Sequence, residues 1–340
     1  NPPYKKMPKE APEALAMPHV CHGAPNLYFL FMAAGVSLMA PEAQMTYIIP
    51  RSWTSGTYFE KFRQYLFSHA VMERVHLFGS RDKVFEKESV LQETMIVTLR
   101  KTTLKPDHVL ITTTPTSSDF SRPEQVQAPY DLVVSGPQHY VFLTTSQEEI
   151  DNLQTINALP FTLPALGLRM KTGLVVDFRS KDALRDQQAE DTVPLIYSTH
   201  IREGRVQFPM GREHEYICAD RRGIVQENKN YLIMKRFTAK EEPRRLQCGV
   251  YLKRNLPEYH YISTQNKVNF VDSDRELSEC VVFGLYVLFN SHSYDLYYRI
   301  LNGSTQVNST EINNMPVPEL SVIEKMGKEI IGTHDMSELN

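Results

Sequence analysis

Asn26-Leu27-Tyr28-Phe29-Leu30-Phe31-Met32-Ala33-Ala34-Gly35-Val36-Ser37-Leu38, followed by Met45-Thr46-Tyr47-Ile48-Ile49-Pro50, decides the fold. Leu27, Leu30, Phe31, Ala34 and Leu38 recur at three- and four-residue steps, which predicts a helix stopped by Pro41. The next apolar run, 45–49, is too short for a helix, ends at Pro50 and reads as a strand. Residues 52–56 form a turn, and Tyr58, Phe59, Phe62 and Leu66 then share one helical face. A second strand is predicted over 71–78, and 89–99 supplies one long strand or two short ones. Helix, strand, helix, strand at short spacing is the pattern of an α/β sheet.

Upstream of this run stands Asn1-Pro2-Pro3-Tyr4. Two prolines in a row lack N–H donors and have φ fixed, so the segment cannot pair as a central strand and holds one shape. The Asn1 side-chain carbonyl and a main-chain carbonyl on the Pro-Pro segment can both accept hydrogen bonds from an exocyclic amine. Tyr4 offers a flat face for a planar base. The tetrapeptide resembles the target-base motif of the S-adenosylmethionine-dependent DNA amino-methyltransferases, in its adenine-N6 form.

The resemblance extends along the first hundred residues. Asn26-Leu27-Tyr28 stands where that family opens a helix forming a wall of the cofactor pocket, although helical spacing favours packing as the main role of Tyr28. The strand 45–50 ending in proline matches too. Val84-Phe85-Glu86, a polar gap and Val90 are similar to the segment whose aromatic closes the sandwich around a flipped base, which assigns stacking to Tyr4 and Phe85. Near the other end, Gly303-Ser304-Thr305-Gln306-Val307-Asn308, Ile312 and Pro316-Val317-Pro318 resemble target-recognition domains of restriction-modification methylases. The motif order implied is the gamma arrangement of type II systems.

The expected fold class is therefore α/β, the C-terminal part of a Rossmann-like methyltransferase sheet followed by an α+β target-recognition domain. The expected boundaries are 1–104 for the catalytic part, 105–130 for a Thr-, Ser- and Pro-rich linker, and 131–340 for recognition. In the second part, strands are expected over 173–178 (after a turn within 168–178), 194–197 and 231–237, and one helix over 277–298. No Gly-rich strand-to-helix turn of the kind that cradles a cofactor is present in the sequence. It reads as part of a longer polypeptide whose main S-adenosylmethionine motifs, with Asn26 and Tyr28 contributing here, lie in a missing N-terminal half or another chain. The isolated chain is expected to be inactive.

Composition sets the remaining limits. With 340 residues and 41% hydrophobic content the chain can bury a sizeable core in about two domains. Four cysteines (Cys21, Cys218, Cys248, Cys280) lie far apart, which suits neither a zinc site nor a disulfide framework, so no metal is expected. No signal peptide is evident and the apolar stretch 27–40 is too short to span a bilayer, which places the expectation in the cytoplasm. A net charge of -3 is not that of a nucleic-acid binder, but cations cluster locally. Arg221, Arg222, Lys229, Lys235, Arg236, Lys240, Arg244, Arg245, Lys253 and Arg254 face only three glutamates between 221 and 254, with Tyr231, Phe237 and Tyr251 interleaved. Double-stranded DNA is the expected partner. Arg202, Arg205, Gln207, Arg212, Arg221 and Arg222 are the candidates for base edges, and Lys235, Arg236, Arg244 and Arg245 for phosphates. Two other readings stay open on sequence: a non-catalytic DNA specificity module, and an RNA or protein amino-methyltransferase.

Overall fold

The computed structural model describes residues 1–79, 93–116, 120–219, 223–239 and 241–333. The chain is mixed α/β and divides into two compact units, 1–155 with 299–303, and 156–298 with 304–340.

The first unit is built on helix α1 (Leu27–Leu38), strand β1 (Gln44–Pro50), helix α2 (Glu60–His69) and strands β2 (Val71–Phe78) and β3 (Thr94–Arg100). Asn26 caps α1 by accepting from the Tyr28 N–H at 3.5 Å. β1 pairs antiparallel with β3, and β3 pairs antiparallel with β2. The sheet does not end there. Strand β4 (His108–Thr114) runs parallel to β2, and strand β5 (Glu124–Pro129) runs antiparallel to β4, giving the order β1-β3-β2-β4-β5. The stretch 105–130 therefore builds two strands of the sheet and corrects its reading as a linker. Val109 and Ile111 are fully buried on one face, and the other carries Leu110, Thr112 and Thr114. Threonine is β-branched and suits a pleated, half-buried surface.

The second unit holds strands β6 (Leu168–Thr172), β7 (Thr192–Ile196), β8 (Tyr216–Cys218), β9 (Tyr231–Lys235), β10 (Cys248–Tyr251), β11 (Tyr261–Thr264) and β12 (Val268–Ser273). β8-β7-β11 lie at the centre of a five-stranded sheet, and β10-β9-β12-β6 form most of a six-stranded one. Two apolar cores hold them: Ile196 and Ile262 of the five-stranded sheet cluster with Ile233 and Phe270 of the six-stranded one, and Val175, Leu195 and Ile217 form a second cluster. The strand in the stretch 168–178 is Leu168–Thr172, ahead of the 173–178 expected, and 177–179 form a 3₁₀ turn. The helix expected over 277–298 is two helices, α3 (Glu279–Phe289) and another at His292–Leu301. The break has a local cause. Both the backbone N–H and the side-chain amide of Asn290 donate to the Tyr286 carbonyl, and the Ser291 hydroxyl accepts from the Tyr294 N–H to start the next helix. Helix α4 (Leu320–Thr333) packs on α3 through two glycines. A Cβ on Gly284 would lie 1.8 Å from the Ile323 carbonyl oxygen, and one on Gly327 would lie 1.8 Å from that of Cys280.

All four cysteines are free thiols, Cys218 and Cys248 buried. Among the described residues no group of three or more His, Cys, Asp or Glu is placed to hold a metal, and no helix is long and apolar enough to cross a membrane.

Candidate functional site

In the first unit the chain crosses itself at the start of α1. The Leu27 N–H donates to the Lys5 carbonyl at 2.8 Å and the Met7 N–H to the Pro25 carbonyl at 2.7 Å, so residues 5–7 are strapped against 25–27. This brings Asn1-Pro2-Pro3-Tyr4 alongside Asn26-Leu27-Tyr28. Pro2 is buried, while Asn1 and Pro3 are exposed and Tyr4 is half-buried. The Tyr4 hydroxyl donates to the Ile48 carbonyl of β1 at 2.9 Å, which fixes the ring against the strand end. Its ring meets Tyr28 edge to face, with centroids 6.1 Å apart and planes at 82°.

Tyr28 is a foundation for this loop. It is buried, its hydroxyl pairs with the Ser52 hydroxyl at 3.3 Å, and its ring packs on Phe29 and Phe59. Burial pushes its phenol far above the ordinary tyrosine range, so it stays protonated. The turn that carries Ser52 is held in its own way. Arg63 of α2 is fully buried and donates to the carbonyls of Trp53 (3.1 Å), Ser55 (2.8 Å), Gly56 (3.0 Å) and Gln138 (3.0 Å), with its guanidinium 5.1 Å from the Tyr140 ring centroid. Sequence reasoning passed over Ser52 and Arg63, because an arginine in an amphipathic helix reads as its solvated face. An exposed amide on a rigid Pro-Pro segment beside an anchored aromatic can receive a planar group bearing an amine. Phe85 lies outside the described residues.

In the second unit the expected DNA contacts separate. Arg202 is exposed, and with Arg205 it flanks the turn between two short paired strands. Arg205 and Gln207 line a cavity of about 710 Å³ with Arg254 and Phe208. Arg212 stacks on the Tyr197 ring, 3.5 Å from its centroid, and donates to the Thr199 hydroxyl at 3.2 Å. Lys235 and Arg236 are half-buried, Arg236 donating to the Asn266 carbonyl at 2.9 Å. Arg244 is exposed and donates to the Asn290 carbonyl. Arg221, Arg222 and Lys240 lie outside the described residues.

Arg245 is a correction. It is fully buried, its guanidinium donating to the Thr238 hydroxyl at 3.2 Å and the Ser304 carbonyl at 2.7 Å, so it is part of the interior and cannot reach a phosphate. The ribbon expected over 221–254 is corrected with it, since Lys229, Lys253 and Arg254 each pair with a glutamate (Glu227, Glu276 and Glu279). Sequence reasoning also missed a buried pair that shapes the 207–215 loop. The His200 Nε2–H donates to Glu215 Oε1 at 2.9 Å, and the Glu215 carboxylate accepts the N–H groups of Met210 (2.7 Å) and Gly211 (2.9 Å). His200 Nδ1 accepts the Tyr197 N–H at 3.1 Å, which fixes the neutral tautomer, and burial holds the imidazole below its usual range. The partners are 15 residues apart with no motif between them, so no sequence signal marks the pair.

The family described as Eco57I restriction-modification methylase matches residues 1–85. Over 97% of its length the chain is 33% identical to the type II methyltransferase M.BsuBI of Bacillus subtilis and 28% identical to the type II methyltransferase M.PstI of Providencia stuartii. It spans 66% of the length of each of these relatives. In three dimensions 96% of the chain superposes on 48% of the type IIL restriction-modification enzyme MmeI, solved in complex with DNA, with a TM-score of 0.54 at 12% identity. That likeness is one of fold.

Proposed function

The chain belongs to the restriction-modification methyltransferases, with type II enzymes among its relatives, and from that membership we propose that it carries the base-binding part of a site-specific DNA adenine-N6 methyltransferase together with its target-recognition domain. The first compact unit takes the catalytic role, as the C-terminal part of a Rossmann-like sheet in gamma order, and the second takes target recognition on duplex DNA. The observation that carries this is the strapping of Asn1–Tyr4 onto Asn26–Tyr28, with the Tyr4 hydroxyl tied to the end of β1.

A methyl donor cannot reach a base stacked inside a duplex, so the adenine is rotated out. The Asn1 side-chain carbonyl and the Pro2 carbonyl accept the two N6 protons, which orients the nitrogen lone pair and stabilises the positive charge that grows on it. No strong base is needed before attack. Tyr4 stacks on one face of the adenine and Phe85 is assigned the other. S-adenosylmethionine, when bound, supplies an electrophilic methyl group. The buried ring and occupied hydroxyl of Tyr28 suit an apolar wall of that pocket, with Asn26 holding the helix start in place.

The test is Asn1→Ala in the complete enzyme. Turnover is expected to fall by at least ~100-fold, as when one preorganised partner of transition-state charge is removed. DNA affinity should remain within about twofold, because this amide matters most as charge develops. A variant that methylates at the parent rate would overturn the assignment.

A further inference from the structure

In the second unit, strand register gathers four loops at one end. β6 and β9 both run antiparallel to β12, with Thr172 opposite Asn269 and Lys235 opposite Val268, so the segments after β6 and β9 leave where β12 begins. β7 and β11 are parallel, with Ile196 beside Thr264, and β11 turns into β12 through Gln265-Asn266-Lys267. Residues 173–179, 197–200, 236–239 and 265–267 therefore share that end. Hydrogen bonds tie them: Val175 N–H to the Thr264 carbonyl at 2.9 Å, Asn266 N–H to the Val175 carbonyl at 2.7 Å, Arg236 N–H to the Lys267 carbonyl at 2.9 Å, and Gln265 N–H to the Ile196 carbonyl, at the start of 197–200, at 2.9 Å. Gln265, 1% exposed, donates to Asp177 Oδ2 at 3.1 Å and accepts the Lys267 N–H at 2.9 Å. A Cβ on Gly173 would lie 2.1 Å from the Gln265 carbonyl oxygen, so the segment approaches as closely as backbone allows.

On this rigid end stand two aromatic rings in solvent. Phe178 is 70% exposed and Phe237 48%. Each is accompanied by its neighbour's guanidinium, Arg179 at 5.4 Å and Arg236 at 5.6 Å from the ring centroids. Arg212 on Tyr197 and exposed Lys267 complete the set. Among the described residues none of these four cations forms an ion pair. The carboxylates nearby are Asp177, engaged by Gln265, Glu215, engaged by His200 and the Met210 and Gly211 N–H groups, Glu242, which accepts the Ala239 N–H, and Glu213 beside Arg212 in sequence. Held on hydrogen-bonded turns, the two rings present flat apolar faces to a partner.

We propose that this end of the second unit is its duplex-facing surface, with Phe178 inserted against base pairs as a stacking wedge and Arg179, Arg212, Arg236 and Lys267 on the flanking phosphates. Cations beside flat apolar rings match a polyanion with exposed base faces, the combination used by proteins that part a base step. The inference rests on the DNA-methyltransferase reading above and goes beyond it in naming the surface and the wedge.

The chain is irradiated with a short random-sequence duplex in which 5-iodouracil replaces thymine, and the attached peptides are mapped by mass spectrometry. Attachment at Phe178 or Phe237 is expected. Phe178→Ala should weaken duplex retention roughly tenfold, within the range for one base stacked on an aromatic ring. Arg179→Ala with Lys267→Ala should lower the slope of log affinity against log salt by about two. All three side chains are exposed, so thermal stability should stay within about a degree of the parent. Retention of the duplex with attachment only elsewhere, or an unchanged affinity for Phe178→Ala, would overturn this surface while leaving the DNA-methyltransferase reading intact. Failure to retain duplex even at low salt would count against that reading itself.

Discussion

Arg63→Met should loosen the turn on which the base-binding loop rests. The guanidinium is fully buried and satisfies the carbonyls of Trp53, Ser55, Gly56 and Gln138. Methionine keeps an unbranched apolar stem but donates nothing. The bonds to the Trp53 and Ser55 carbonyls are the deeply buried ones. Leaving two such acceptors without a donor costs roughly 1–3 kcal/mol each. Burying a methionine side chain returns about 1.5–3 kcal/mol, and no charge need be desolvated. A net loss of about 2 kcal/mol is the balance, which for a unit of this size lowers its melting temperature by roughly 4–8 °C. The chain has a single tryptophan, Trp53, fully buried beside the clamp, so its fluorescence during urea unfolding follows the first unit selectively. Arg63→Lys keeps the charge but has one donor group for four carbonyls, and should fall between the parent and the methionine variant or below both. A loss under about 0.5 kcal/mol for Arg63→Met, within the range of an ordinary surface substitution, would refute the view that this guanidinium holds the turn.

Titrated alone, the chain should bind S-adenosylmethionine weakly or not at all if, as the sequence reading expects, the main cofactor motifs lie outside it; micromolar affinity by calorimetry would contradict that expectation. His200 makes stability depend on pH in a definite direction. Its folded pKa lies below the unfolded value of about 6.5, since burial disfavours the charged ring, and charging it would also put a proton on Nδ1, which accepts the Tyr197 N–H. The unfolded chain then binds the extra proton first, so the contribution is complete above that value and is lost as pH falls below it. The urea midpoint followed by circular dichroism should decline from pH 7 toward pH 5, and His200→Gln should flatten that decline; an equal slope in the variant would remove His200 as its source.

The first unit was legible where periodicity and proline act together. The α1 pattern stops before Pro41, β1 ends at Pro50, and both come within a residue or two of the sequence reading. The strap of 5–7 on 25–27 was not legible, because it consists of backbone hydrogen bonds that leave no residue signature. β4 was hidden for a different reason. Its last three residues are Thr, which composition counts as polar, yet Thr112 bonds to His76 Nδ1 at 2.9 Å and serves as one side of a cross-strand pair.

The basic residues show most clearly how sequence proximity misleads in a β-rich unit. Arg244 and Arg245 are adjacent, but Asp295 accepts the N–H groups of Arg245 and Leu246 at 2.6 and 3.0 Å, from fifty residues away, and turns Arg245 inward while Arg244 stays outside. Alternation of this kind splits a contiguous run of cations between interior, ion pairs and surface. Arg179, Arg236 and Lys267, which are scattered over nearly ninety residues, share one end instead because antiparallel and parallel pairings deliver their loops there, and Arg212 joins them by stacking on Tyr197. A charge count along the chain samples strands lengthwise, whereas a partner touches the ends where strands turn. In such a unit the register is therefore the better guide to a binding face, and a pair such as Phe178 and Arg179, unremarkable in sequence, gains its meaning from the loops beside it.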